Sequence, residues 1–317
     1  MRTATTVRTA SVRATSVLTV TATAAATSHP PATDAPSAVG AVRTRRTGLR
    51  GPRGRGRRAG ARARPPRRSV TPGGGGARGS RIVVIMVSEF SRFSDAFLLE
   101  AERHAAWGAE QLEALTAFLP EGPWTADLPT CAYRQEGLEL RVAVLGTYDM
   151  DERSWMWGWA NPGLRGTEVV ALTGAIERYG RSQGIAELTE EALDLSGFAD
   201  PRHAAEMLAF AGMGVAGAPG YFSQQAGPGT QVYFLPDDPQ VPRPAPDAIA
   251  LPRTLVTGAG LIGRSARHAV TGYFDHHGVP RREDGDRITA ELPGGSAAEI
   301  DFDAEGRIGA VRLTAAP

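Results

Sequence analysis

Ser154-Trp155-Met156-Trp157-Gly158-Trp159-Ala160-Asn161-Pro162 sets three of the chain's five tryptophans at alternate positions. Side chains on one face of an extended strand repeat every ~7 Å, so this spacing predicts a strand that presents Trp155, Trp157 and Trp159 together. A row of indoles at that pitch either buries against a helix or forms a wall for a flat ligand. Gly158, on the opposite face, admits close approach of another backbone, and Asn161-Pro162-Gly163 forces a turn directly after the stripe.

The residues on both sides read as alternating helices and antiparallel strands. Upstream, Ser94 is placed to cap a helix from Asp95 to Leu119, with Phe93 stapled against Leu98 and an apolar face from Phe97 to Leu119. Strands follow over Cys131–Gln135 and Leu138–Tyr148, then the tryptophan strand. Thr167 is predicted to cap a helix to Tyr179. Asp200-Pro201 opens another through Ala211, where Gly212 and Gly214 break it.

A hairpin is expected over Tyr221–Gln225 and Thr230–Leu235. Residues 236–252 hold six prolines and read as a linker. Beyond it come a helix over Arg264–His276 and three strands, Arg287–Leu292, Ala298–Asp303 and Arg307–Thr314. The fold class expected is α+β, antiparallel sheets covered by helices, with a disordered Arg-rich N-terminal segment. Its parts are a leader over 1–85, a helix-plus-sheet unit with a helical middle over 86–235, the linker, and a helix with a three-stranded meander over 253–317.

All 35 basic residues are arginine. Without lysine, the phosphate lysine of nucleotide-binding loops, Schiff-base chemistry and a lysine general base are all excluded. Residues 1–85 carry 17 arginines against the single Asp34, whereas residues 86–317 carry 18 arginines against 33 acids. The near-neutral total therefore hides a basic leader and an acidic body, and nucleic-acid binding is not expected of residues 86–317.

The leader is too poor in large apolar side chains to offset its chain entropy, and Met86 is the expected initiator, with the residues before it a mistranslated leader. The six-residue run from Ile82 to Val87 is too short for a secretory core or a membrane span. With the lone Cys131 forbidding an internal disulfide, a cytoplasmic protein is expected.

Several motifs dissolve on inspection. Gly258-Ala259-Gly260-Leu261-Ile262-Gly263 matches the dinucleotide fingerprint, but the segment after its helix, from Val279 to Gly285, is too polar for a buried parallel strand. Asp301 to Arg312 imitates a calcium loop, yet Arg312 stands where the bidentate glutamate belongs, and Asp303–Gly306 reads better as a bulged hairpin turn. The six histidines show no metal-ligand spacing; His276 and His277 read as caps on a helix C-terminus, and His104 as a satisfied residue at the edge of an apolar face. No G-x-S-x-G elbow exists, and the acids at Asp149/Asp151/Glu152, Asp237/Asp238 and Asp284/Asp286 fall in expected turns.

In Phe93–Phe97, Leu115–Pro120, Trp155–Pro162, Ala209–Gly214 and Gly260–Ser265 the chain resembles an uncharacterised domain-of-unknown-function family of GC-rich, actinobacterial-type bacteria. The tryptophan segment is the specific part. The resemblance spans about Phe93 to Thr314 and implies no activity, cofactor or site residues. The leading expectation is a non-catalytic binding or interaction module for a small molecule or protein, using Trp155, Trp157, Trp159 and Asn161. An enzyme with Asp149 or Asp151 and His104 converging on the tryptophans is one alternative. Dinucleotide binding through Gly258, Gly260 and Gly263 is another. No cofactor, metal or membrane partner is expected.

Overall fold

The computed structural model describes residues 92–315. The expected disordered leader and the expected start at Met86 lie outside them. The described part is α+β: six helices and two antiparallel sheets. Helices α1 (Asp95–Arg103), α2 (Ala105–Phe118), α3 (Gly174–Gln183), α4 (Pro201–Ala216), α5 (Leu251–Ile262) and α6 (Ala266–His276) form the middle layer.

The larger sheet contains β1 (Trp124–Asp127), β2 (Ala132–Gln135), β3 (Leu138–Asp149), β4 (Ser154–Trp157), β5 (Ala192–Asp194), β6 (Phe222–Gly227) and β7 (Thr230–Pro236). β3 is its spine, pairing with β2 over its first half, β4 over its last residues and β7 along Val142–Asp149. The smaller sheet runs β8 (Arg281–Asp284), β9 (Arg287–Glu291), β10 (Ala297–Phe302) and β11 (Ile308–Thr314) as a meander. Its inner residues, Ile288, Ala290, Ala298 and Ile300, share one core with the helices and with Trp155 and Trp157. α5 and α6 pack on α1 and α2, so the chain beyond the Pro-rich stretch is docked on the helices before it.

A bulge at Leu145 decides what β3 does. The register with β7 shifts between Val144 and Gly146, so the alternation of faces slips by one residue. Before the bulge Val142 and Val144 face a second core, with Tyr133, Leu164 and Phe234; Ala143, Leu145 and Tyr148 face the helices.

Several elements differ from the sequence reading. The helix expected from Asp95 to Leu119 is broken at His104, although no proline or glycine is there. The imidazole is drawn sideways onto Glu100 and His276, a tertiary pull invisible to local propensity. Ser94 does cap α1, accepting the Phe97 N–H at 3.1 Å. Thr167 begins only a 3-10 turn, Glu168–Val170, and α3 starts after Thr173.

α4 runs through Gly212 and Gly214 and stops at Gly217, whose φ of 62° places it in the left-handed region. The two interior glycines make room: a Cβ at Gly214 would lie 2.1 Å from the His104 ring, and one at Gly212 2.9 Å from Trp157. β1, β5 and β8 are short or polar strands that periodicity missed. β8 is an exposed edge strand, which is why a sequence too polar for a sheet interior still pairs.

Candidate functional site

The tryptophan stripe is core. Trp155 and Trp157 are fully buried on β4 and meet edge to face with ring centroids 5.2 Å apart; Tyr233 closes on Trp155 at 5.0 Å. The Trp157 Nε1–H donates to the Glu187 carbonyl at 2.9 Å. Trp159 departs from the expected alternation, because the strand ends at Trp157 and Gly158–Ala160 form a 3-10 turn.

Gly158 drives that turn: a Cβ there would sit 2.0 Å from the Val144 carbonyl oxygen. Asn161 is buried and shapes the exit, its side-chain Oδ1 accepting the Gly163 N–H at 2.9 Å. The one-faced wall of three rings is thus two rings turned inward, a third in a turn, and an asparagine that holds the turn.

The dinucleotide alternative is corrected by the fold. Gly258 and Gly260 lie inside α5, and Gly263 is its left-handed C-cap at φ 76°, so no strand leads into the glycines. Gly258 lets α5 close on α2, where a Cβ would lie 2.3 Å from the Ala106 Cα. The N–H groups that follow already have an anion: the Arg264 N–H donates to Glu102 at 3.0 Å, and the Gly263 and Ser265 N–H groups face the same carboxylate.

Glu102 is fully buried, and burial pushes its carboxyl up to about 7 despite those donors. The folded carboxyl holds its proton more tightly than the unfolded one near 4.5, so this stability is complete below pH 4.5 and is lost as pH rises through 7. Glu102→Gln keeps an acceptor and removes the charge. It is expected to flatten stability between pH 5 and 8 and to raise it by about 2–3 kcal/mol at pH 8, read from urea midpoints at each pH.

The acid–histidine alternative does not assemble as expected, because Asp149 and Asp151 sit at the β3–β4 turn while His104 lies among the helices. His104 instead lines a cavity of about 180 Å³ with Glu100, Arg103, Tyr179, Asp275 and His276. The break between α1 and α2 aims its ring between α4 and α6. His104 Nε2 lies 3.1 Å from Glu100 Oε1 in a bent contact, and its Nδ1 lies 2.8 Å from His276 Nε2. The Tyr179 hydroxyl donates to the same Glu100 oxygen at 2.8 Å. Trp107 stacks on His276, centroids 3.8 Å apart and planes within 5°, which fixes the second imidazole.

The ionisation pattern follows from burial and neighbours. Burial opposes charge on Glu100, yet the His104 contact, the Tyr179 hydroxyl and Arg103 together hold its carboxyl below the usual range. Burial, with Glu100 beside it, pushes the Tyr179 phenol up to about 12, so it stays a donor. Burial and then His104 bring His276 down to about 3.

His277, expected as a simple helix cap, caps α6 and also contacts Glu110 at 3.2 Å. The pairing of His104 with His276 across 172 residues left no local signal; only its companions, Gly214 and Gly272, mark where helices close in. Among the described residues no group of three or more His, Cys, Asp or Glu side chains is arranged to hold a metal ion.

Fold and site together define an α+β protein with a small acid–base pocket between helices. A model of a family of unknown function (DUF6882) matches residues 97–239. That stretch carries Glu100, His104, Tyr179 and the whole tryptophan segment, and it ends before α6 brings His276. No curated protein and no solved structure matches the chain.

Proposed function

We propose that this chain binds a small weak acid in the Glu100–His104–His276 pocket and takes up its proton. The observation that carries the reading is the row of polar groups from Tyr179 through Glu100 and His104 to His276, hydrogen-bonded at both ends and joined by the bent 3.1 Å contact between Glu100 and His104, ending in a cavity. With Glu100 ionised, His104 keeps its Nε2–H toward the carboxylate and offers the Nδ1 lone pair to the His276 Nε2–H. That leaves His276 Nδ1 as the base available to a ligand.

A proton arriving at Nδ1 releases the Nε2 proton to His104, so the positive charge comes to rest beside Glu100 rather than on the ring least able to bear it. The anion left behind lies near the Arg103 guanidinium, which lines the same cavity. At about 180 Å³ the cavity is below the ~300–1,000 Å³ of drug-sized pockets, which selects a small polar molecule.

The reading remains one of a binding protein. A cytoplasmic setting belongs to it as well, in keeping with a single buried free cysteine, Cys131; among the described residues no helix is long and apolar enough to cross a membrane. Ligand-observed NMR with a set of small carboxylic and hydroxamic acids and phenols provides the test. Binders are expected to shift the His276 ring nitrogens and to be lost in His276→Gln with the melting temperature preserved; near neutral pH the carboxylic acids, which arrive ionised, should take up protons from buffer, whereas the hydroxamic acids and phenols, which bring their own proton, should not. Binders that ignore that substitution, or no binder at all, would sink the proposal.

A further inference from the structure

The face of the larger sheet turned away from the tryptophans carries a second site. The pairings Thr147 with Met156, Asp149 with Ser154, and Ser154 with Asp194 place these side chains on one side. With Glu152 they line an open groove of about 350 Å³. Two of its carboxylates are pre-set by backbone: Asp149 accepts the Asp151 and Glu152 N–H groups at 2.9 and 2.8 Å, and Asp194 accepts the Ser196 N–H at 2.8 Å.

Acids on a turn are ordinary; the groove wall between them is not. Thr147 is 2% exposed, and its hydroxyl has no hydrogen-bond partner among the described residues. Its cross-strand neighbours on that face, Met156 and Val232, are apolar. Leaving a buried hydroxyl unpaired disfavours the fold, so a polar atom held this way beside an open groove points to a partner supplied from outside.

The chemistry of that partner follows from the spacing of the acids. Among the described residues no trio of carboxylates is arranged to hold a metal ion, so a point charge cannot satisfy them at once. An organic cation spreads its charge and its donors over several ångströms, and a methylene stem finds apolar support on Met156. We infer that this groove binds an alkyl guanidinium, its charged head between Asp149 and Asp194, with a donor reaching the Thr147 hydroxyl. This site is separate from the helix pocket and stands or falls independently of it.

Isothermal titration of the full chain at low ionic strength with agmatine, and in parallel with N-acetyl-arginine amide, tests the inference. Saturable binding of either supports it, and the tighter of the two says whether the source is a free amine-bearing cation or an arginine side chain. Asp194→Asn is expected to weaken binding about threefold or more. Thr147→Val should weaken it by a similar factor while leaving the urea midpoint unchanged or raised, because it removes an unpaired hydroxyl. His104→Gln should leave binding unchanged. Affinity weaker than about 1 mM for both probes, tighter binding of calcium ion than of agmatine, or a Thr147→Val protein that is less stable yet binds normally would overturn it.

Discussion

Trp157→Ala is expected to lower the unfolding free energy by about 3–5 kcal/mol, read as a fall in the urea midpoint at constant slope. Three losses combine in that figure. The ring is fully buried and leaves a cavity the size of an indole; the edge-to-face contact with Trp155 goes; and the Glu187 carbonyl loses the donor it holds at 2.9 Å. Collapse is hindered because Gly212, which packs against the ring, has no side chain to move in. Trp159→Ala, at a half-buried ring whose Nε1–H has no partner among the described residues, should cost clearly less. Equal losses at the two positions would contradict a strand that ends at Trp157.

Gly272→Ala has a comparable effect for the opposite reason. A Cβ at Gly272 would lie 1.7 Å from the Arg103 carbonyl oxygen and 2.6 Å from its carbon, both backbone atoms of α1 that no rotamer change can move. α6 must back away, at an expected cost of about 3 kcal/mol or more, at the upper end of overpacking penalties. The same shift separates His276 from His104, so small-acid binding should vanish with stability. Gly260→Ala in the neighbouring α5 meets open space and is the control: relief of the glycine penalty should raise stability by up to about 1 kcal/mol. Thermal melts of the two variants side by side decide the matter.

These contrasts show what a sequence states and what it leaves to assembly. The helix opening at Ser94, the β6–β7 hairpin and the three strands of the C-terminal meander were legible because caps, turn glycines and alternation are local signals. The tryptophan strand was legible as a strand, but its direction was not. Two-residue alternation names faces without saying which is inside, and Gly158 ended the pattern one ring early. Glycines misled most. Gly212 and Gly214 read as helix breakers and Gly258 to Gly263 kept a dinucleotide alternative open, whereas most of them mark where another chain segment presses close. The site residues each have a local reading in the sequence, His104 as an edge histidine, His276 as a cap and Asp149 as a turn acid. Their partnerships have no such signal, since each is set by contacts across the fold.

The bulge at Leu145 has a consequence for how this chain tolerates change. Val144 and Gly146 pair with the consecutive residues Phe234 and Tyr233, so excision of the surplus Leu145 would leave Tyr148 inside and Thr147 and Asp149 outside, whereas one residue inserted after Gly146 would exchange their destinations. A hydroxyl and a carboxylate would be driven among indoles, and a phenol would be stranded in the groove. Length is therefore forgiving at the bulge and strict beyond it: point substitutions adjust one site, but a one-codon insertion after Gly146 inverts two at once.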